Sequence, residues 1–231
     1  MARKLGPLHE NILQHGNWRE GVQAYLASIS FADAQVGRLL DALEAGPQRD
    51  HTIIVLWGDH GWHLGEKRHW SKFTLWEEST HTPLIFVVPG LTAPASECAH
   101  PVDLIHVYPT LADLCGLPLP AGQLFDGASL RPLLAHPQAA WDRPAIMTHG
   151  RNNHAVRTDR WRYIRYADGS EELYDHAADP NEWHNLAREP ASRTIRQELA
   201  ARLPQFNAPE APRLPKPENP GVGPGLEPRP E

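Results

Sequence analysis

Two short apolar runs limit this chain most. Residues 52–57 (TIIVLW) and 83–88 (PLIFVV) are continuous rather than alternating, rich in β-branched residues, and too short for an ordinary helix. Such runs fit strands covered on both faces, as in a mostly parallel sheet flanked by helices. Pro83 stands first in its run, where a missing N–H is tolerated. Ahead of them, Val22, Tyr25, Leu26, Ile29, Ala32, Val36, Leu39, Leu40 and Leu43 recur at helical spacing. Asn17 and Glu20 are placed as a capping box at its start, and Gly46 with Pro47 ends it. The pattern predicts a further helix over 107–115, with Pro109 in its first turn and Gly116 as its stop. Helix, strand, long loop, strand, helix is an α/β arrangement.

The character changes after residue 140. Segments 145–148, 153–157, 160–165 and 172–174 are short, alternating or aromatic, with turn residues at Asp159 and at Asp168 and Gly169. They predict a small antiparallel sheet, with a helix over 191–203 packed on it. Nine prolines fall between Pro204 and Glu231 among few apolar residues, a composition that predicts a disordered tail. The expected organisation is therefore 1–140, the α/β part; 141–203, a small antiparallel-sheet subdomain; and 204–231, the tail. Residues 1–16 show no period and are expected to be loop.

Composition mainly excludes. A net charge of -6 offers no broad basic field for nucleic acid. No apolar run approaches the roughly 20 residues that cross a bilayer. Met1–Pro7 has no apolar segment behind its basic residues, so it does not read as a signal peptide. Two cysteines, Cys98 and Cys115, cannot form a disulfide framework.

The chemistry concentrates in residues 57–72 (WGDHGWHLGEKRHWSK). Asp59 and His60 follow a buried strand directly, the edge at which open α/β sheets bind ligands. Gly58 and Gly61 flank the pair and are expected to allow a sharp turn. A carboxylate beside an imidazole can supply two ligands to one divalent ion. The competing reading is a plain turn with an exposed histidine. Against it, three His, two Lys, one Arg and two Trp lie between Asp59 and Lys72. The cations suit a bound anion, and the indoles suit a sugar or apolar ring. His63, His69 and Trp70 are expected to line a substrate pocket; the competing reading is a structural role. For Lys67 and Arg68 the solvated reading is favoured. His149 and His154 are candidates for the pocket rim.

Read in order, Gly58–Gly61, Leu64–Glu66, Trp70–Lys72, Glu77–Phe86, Pro109–Leu111, Gly116–Pro118, Asp126–Leu130, Glu172–Asp175, Asp179–Glu182 and Asn185–Ala187 resemble the second half of the sulfatase family. The resemblance is strongest to its iduronate-2-sulfatase-like branch and spans about residues 20–190. It implies an alkaline-phosphatase-like α/β fold and hydrolysis of sulfate esters, with a sulfated small molecule or glycan as substrate. It implies that Asp59 and His60 are ligands of a divalent cation, usually calcium, with Mg2+ and Mn2+ as alternatives. It further implies that Lys72 pairs with the sulfate. Imidazole is a poor ligand for a hard cation, so His60 is also a candidate partner of a sulfate oxygen.

The resemblance also implies a formylglycine nucleophile made from a Cys or Ser in a motif with Pro two places on and Arg five places on. Cys98 and Cys115 each have Pro one place too late and lack the Arg. The nucleophile is therefore expected upstream of residue 1, in a missing N-terminal half that would act as partner, and this chain alone is expected to be inactive. Export to the periplasm or outside the cell is implied by resemblance only. Two other functions fit the residues: a phosphate or phosphonate ester hydrolase of the same superfamily, and a non-catalytic carbohydrate-binding remnant.

Overall fold

The computed structural model of the chain describes residues 6–209 and 211–212; the predicted tail from 213 onward, like residues 1–5, lies outside the described residues. The chain opens on α1 (Gly6–His15), where a loop was expected. Its stop is a left-handed Gly16, φ 67°, with the Asn17 N–H reaching back to the Ile12 carbonyl at 3.1 Å, a C-terminal cap that glycine supplies without strain. Tertiary contacts explain why this segment folds without a period of its own. The Trp70 indole N–H donates to His9 Nδ1 at 3.1 Å, and His9 sits edge-on to Trp18 at 5.2 Å.

α2 (Trp18–Glu44) begins where expected, but Asn17 makes no side-chain cap bond. Its backbone (φ −88°, ψ 15°) is not extended, and its N–H, which Glu20 would have capped, is taken by the Ile12 carbonyl of α1, so the predicted capping box does not form. After α2 come β1 (Ile54–Trp57), a loop holding the two-residue strands β2 (His63–Leu64) and β3 (Trp70–Ser71), a one-turn α3 (Glu77–Thr80), and β4 (Leu84–Val87). The two apolar runs pair with each other, antiparallel, Ile54 opposite Val87 and Trp57 opposite Leu84. Within this chain neither face is closed: Leu56, Trp57, Ile85 and Val87 are all exposed.

α4 (Val107–Leu114) ends as predicted on Gly116, φ 64°, and α5 (Arg131–Ala135) follows. The small sheet is the four-stranded antiparallel meander expected: β5 (Ala145–Thr148), β6 (His154–Arg157), β7 (Trp161–Arg165) and β8 (Glu171–Asp175), closed by α6 (Arg193–Ala201). Alternation along its strands builds two cores. Val156, Tyr163 and Leu173 face α6 with Ala187, Leu199 and Leu203. Ala155, Ile164 and Tyr174 face the other way, onto Leu75 and Trp76 of the loop between β3 and α3. Burying each large apolar side chain contributes roughly 1.5–3 kcal/mol, so the sheet is a firm platform beneath the loop that carries Asp59 to Lys72. The start of the predicted tail is packed: Asn207 Oδ1 accepts from His154 Nε2 at 2.7 Å. No helix among the described residues is long and apolar enough to cross a membrane.

Candidate active site

β1 delivers the chain to Gly58, and from there the backbone runs hard against the segment before β4. Gly58 N–H donates to the Pro83 carbonyl at 3.1 Å and Gly61 N–H to the Ser79 carbonyl at 2.9 Å. Neither glycine has a positive φ, so the expected sharp turn is not why they are there. A Cβ on Gly61 would collide with the Glu78 carbonyl oxygen, and one on Gly58 with Thr82 Oγ1; closeness of approach is what demands glycine.

Between them Asp59 and His60 project to the same place. His60 Nδ1 donates to the Gly61 carbonyl at 2.8 Å, which leaves the Nε2 lone pair facing outward. Lys72 Nζ donates to that Nε2 at 2.8 Å, and Asp59 Oδ2 lies 3.6 Å from it. The three residues selected from sequence as metal and oxyanion groups are therefore together. The His60 ring packs near Trp62 at 6.1 Å, and Trp62 stacks on Tyr25 of α2 at 6.1 Å. Lys72 is fixed from behind by His69, whose Nε2 donates to the Lys72 carbonyl at 3.0 Å.

His63, His69 and Trp70, expected at the pocket, are placed in the interior instead, at 0%, 2% and 7% exposure. One ring nitrogen of each is committed to a protein partner, while His63 Nδ1 is buried with no partner among the described residues. His63 Nε2 donates to Thr74 Oγ1 at 2.9 Å, and Thr74 in turn donates to Ser79 Oγ at 2.8 Å. Trp70 spends its N–H on His9. These side chains hold the loop rather than line it. Lys67 is likewise inside: its ammonium sits 4.2 Å from the Tyr174 ring centroid and 4.6 Å from that of Trp76, and donates to the Tyr174 hydroxyl at 3.0 Å. Burial lowers its pKa. Arg68 stays exposed, 3.5 Å from Glu10.

Burial, and then the charge of His69, push the His63 pKa down to about 4. A folded pKa below the unfolded value near 6.5 means that the unfolded chain binds the proton first. The stabilisation is full above pH 6.5 and is lost as pH falls toward 4, amounting to roughly 3 kcal/mol. Asp103, raised to about 6 by burial, works in the opposite sense and offsets part of this. Stability of the wild-type chain measured between pH 7 and 4 is expected to fall more steeply than that of His63→Gln; equal slopes would contradict the assignment.

A second cluster, Glu77, His176 and Glu182, has ligand-type atoms close enough to share an ion. Its carboxylates already have cations. Arg162 pairs with Glu77, Arg157 Nε lies 3.3 Å from the same Glu77 oxygen, and Arg162 Nε lies 2.5 Å from Glu182, though its N–H is not aimed at that oxygen. Burial alone would raise Glu77, yet the Arg162 and Arg157 guanidiniums hold it down at about 2. Two guanidiniums at one carboxylate disfavour a metal, and the cluster is a joint between α3 and the small sheet. A cleft lined by Glu78, His81, Asp159 and Arg160 opens beside it; Asp59, His60 and Lys72 do not line that cleft.

The family model described as N-sulphoglucosamine sulphohydrolase, C-terminal, matches residues 65–208, and the one described as Sulfatase matches residues 7–117. The chain belongs to the sulfatase family. It is 44% identical over 202 residues to a sulfatase from Formosa agariphila, which covers 87% of this sulfatase chain and 39% of the relative. A structure solved in complex with its substrate D-glucosamine-2-N,6-O-disulfate matches with a TM-score of 0.69 at 29% identity, covering 77% of this chain and 38% of that one. A phosphonate monoester hydrolase from Silicibacter pomeroyi matches with a TM-score of 0.63 at 28% identity, covering 73% and 37%. The chain thus spans well under half the length of the proteins it matches, and what it matches is the C-terminal part of the family fold.

The donor set of this sulfatase chain fits part of a divalent-cation site. Asp59 offers a carboxylate oxygen, and His60 offers an Nε2 whose proton is held on the other nitrogen. That lone pair accepts one bond at a time, so the Lys72 ammonium and a cation compete for it. Two ligands fall short of the six or more oxygens that calcium takes.

Proposed function

We propose that this chain carries the cation- and oxyanion-binding side of a sulfuric ester hydrolase acting on a sulfated carbohydrate. The observation that supports it most is the convergence of Asp59 and Lys72 on His60 Nε2. Asp59 and His60 would hold the divalent cation, calcium before Mg2+ or Mn2+, and the bound cation would draw charge off a sulfate oxygen. Lys72 swings its ammonium from His60 to the oxyanion and donates to it as charge builds. His69 keeps the Lys72 backbone in place while the side chain moves. His60, once released, is free to ligate or to meet a second oxygen. Cys98 and Cys115 are exposed thiols outside the formylglycine motif, so no nucleophile is assigned here, and the chain alone is expected to bind sulfate without turning over an ester. On family resemblance we place it among exported proteins.

The test is activity toward an aryl sulfate in the chain expressed with whatever coding sequence precedes Met1, with Asp59→Ala and Lys72→Ala beside it. Each variant is expected to lose about 10²–10³-fold in kcat/KM, the usual effect of removing one charge-stabilising donor. Wild-type rates in both variants would refute the assignment. Faster turnover of a phenyl phosphonate would favour the second reading, a phosphonate ester hydrolase, which the Silicibacter neighbour keeps open. Sugar binding in an assembled protein that turns over neither ester would favour a carbohydrate-binding remnant.

A further inference from the structure

The turn between β5 and β6 stands next to the cluster just described. Phe73 follows Lys72 directly, and its ring centroid lies 5.3 Å from the Lys72 ammonium. The residue is held at φ 73°, in the left-handed region that favours glycine, and 53% of it is exposed. A large aromatic kept both strained and open to solvent is costly unless something uses it. The His149 ring lies 5.7 Å from that of Phe73, tilted at 40°. Neither ring nitrogen of His149 has a hydrogen-bond partner among the described residues. Two places on, Arg151 is exposed and enters no ion pair among them.

The turn carrying these groups is built rigidly. The His149 N–H donates to the Asn153 carbonyl at 3.1 Å. Asn153, buried, accepts from Ala167 N–H at 3.0 Å and donates to the Arg151 carbonyl at 3.1 Å. His154 accepts from the Thr148 hydroxyl at 2.8 Å and donates to Asn207 at 2.7 Å, while the Asn152 N–H reaches the same Asn207 oxygen at 3.3 Å. These backbone and side-chain bonds fix the turn. The imidazole of His149 and the guanidinium of Arg151 are left over.

We infer that Phe73, His149 and Arg151 form a subsite for the sugar that bears the scissile sulfate. Phe73 supports the apolar face of the pyranose ring, and His149 with Arg151 receives a second anionic group on it, a sulfate or a carboxylate. The inference rests on Lys72 as the oxyanion partner. It adds a preference for doubly anionic sugars, set from the small sheet rather than from the loop of Asp59. Arg suits this task because its planar fork matches an oxyanion bidentately.

The test is equilibrium binding to the 231-residue chain, in the assembly state in which it purifies with calcium. Three probes serve: inorganic sulfate, an N-sulfated glucosamine, and glucosamine 2-N,6-O-disulfate. The wild type is expected to bind the disulfated sugar about tenfold tighter than the monosulfated one, a difference of about 1.4 kcal/mol. His149→Ala with Arg151→Ala is expected to erase that preference while sulfate affinity stays within about twofold, because neither side chain holds the turn. Phe73→Ala is expected to weaken both sugars and not sulfate. An undiminished preference in the double variant, or none in the wild type, overturns the subsite while Lys72-dependent sulfate binding leaves the wider reading standing. Sulfate binding that ignores Lys72→Ala overturns both.

Discussion

Replacing Arg162 with methionine is expected to cost the chain about 3–5 kcal/mol, the penalty for removing one partner of a buried ion pair. Arg162 is 1% exposed and Glu182 is 1% exposed, so no water can take over. The side chain makes three attachments at once: to Glu77 at the start of α3, to Glu182 beyond β8, and, through Nη1 at 2.9 Å, to the carbonyl of Leu75. Its loss leaves Glu182 buried without a guanidinium and Glu77 with Arg157 alone, so the pKa of Glu77, now held near 2 by the two guanidiniums, would rise. Because the folded pKa of Glu77 lies below its unfolded value of 4.5, its stabilisation is present above that pH and lost as pH falls toward 2. The wild type should therefore lose stability below pH 4.5 more steeply than Arg162→Met. Total stabilities of domains run to about 5–15 kcal/mol, so the variant sits near the edge of unfolding. Adding Glu77→Gln and Glu182→Gln should recover a good part of the loss, since what costs most is the uncompensated charge. Denaturant unfolding with the loss below about 1 kcal/mol would show that the joint is dispensable. The same substitution reaches the site: Leu75 is three residues from Lys72 on one strained loop, so sulfate affinity should drop even where the fold survives.

How much of this was readable beforehand depended on what kind of force decides each element. The small sheet was legible because its order is written in alternation: Ala155 and Val156, Tyr163 and Ile164, and Leu173 and Tyr174 each send one side chain to each face, a pattern that survives in the bare letters. α4 was legible because Gly116 ends it by local geometry. α1 was not, since what orders it is the pairing of His9 with Trp18 and Trp70, about 60 residues further on in the second case. The capping box failed for a related reason: the helix ahead of Asn17 claimed its N–H, the group that Glu20 would have served. Asp59, His60 and Lys72 were singled out through the order of short motifs, and the distances then brought them together. His63, His69 and Trp70 share the same stretch and the same chemistry, yet they point inward. Nothing in composition separates a histidine that faces a ligand from one that braces a loop; only the direction of the chain at each residue does. Phe73 and His149 were beyond reach as a pair, because they meet through a turn 76 residues away whose position depends on the whole sheet.

At concentrations of tens of micromolar the isolated chain is expected to self-associate, and the cause is visible along α2 and the β1–β4 pair. None of the 27 residues of α2 is buried, although its apolar stripe is well formed. Leu26, Ile29, Phe31, Leu39 and Leu40 are 39–71% exposed, and Leu56, Trp57, Ile85 and Val87 are 39–51% exposed. Covering the open half of one such side chain gains about 1 kcal/mol, so together they offer a gross gain of roughly 9 kcal/mol. Association costs at least about 4 kcal/mol in lost freedom, so the surplus supports weak contacts rather than a single tight dimer. Among the described residues both edges of the β1–β4 pair also lack a further strand, and such edges are a template for additional pairing. Apparent mass by light scattering should therefore rise with concentration, and a dye that reports exposed apolar surface should bind before any heating. Phe31→Glu with Leu39→Glu should lower both signals, because each places a charge on the same exposed helix. A monodisperse monomer that melts cooperatively over a hundredfold range of concentration would mean that these faces need no cover. The antiparallel pair and its helix would then be a finished surface rather than one shaped to be packed against more protein.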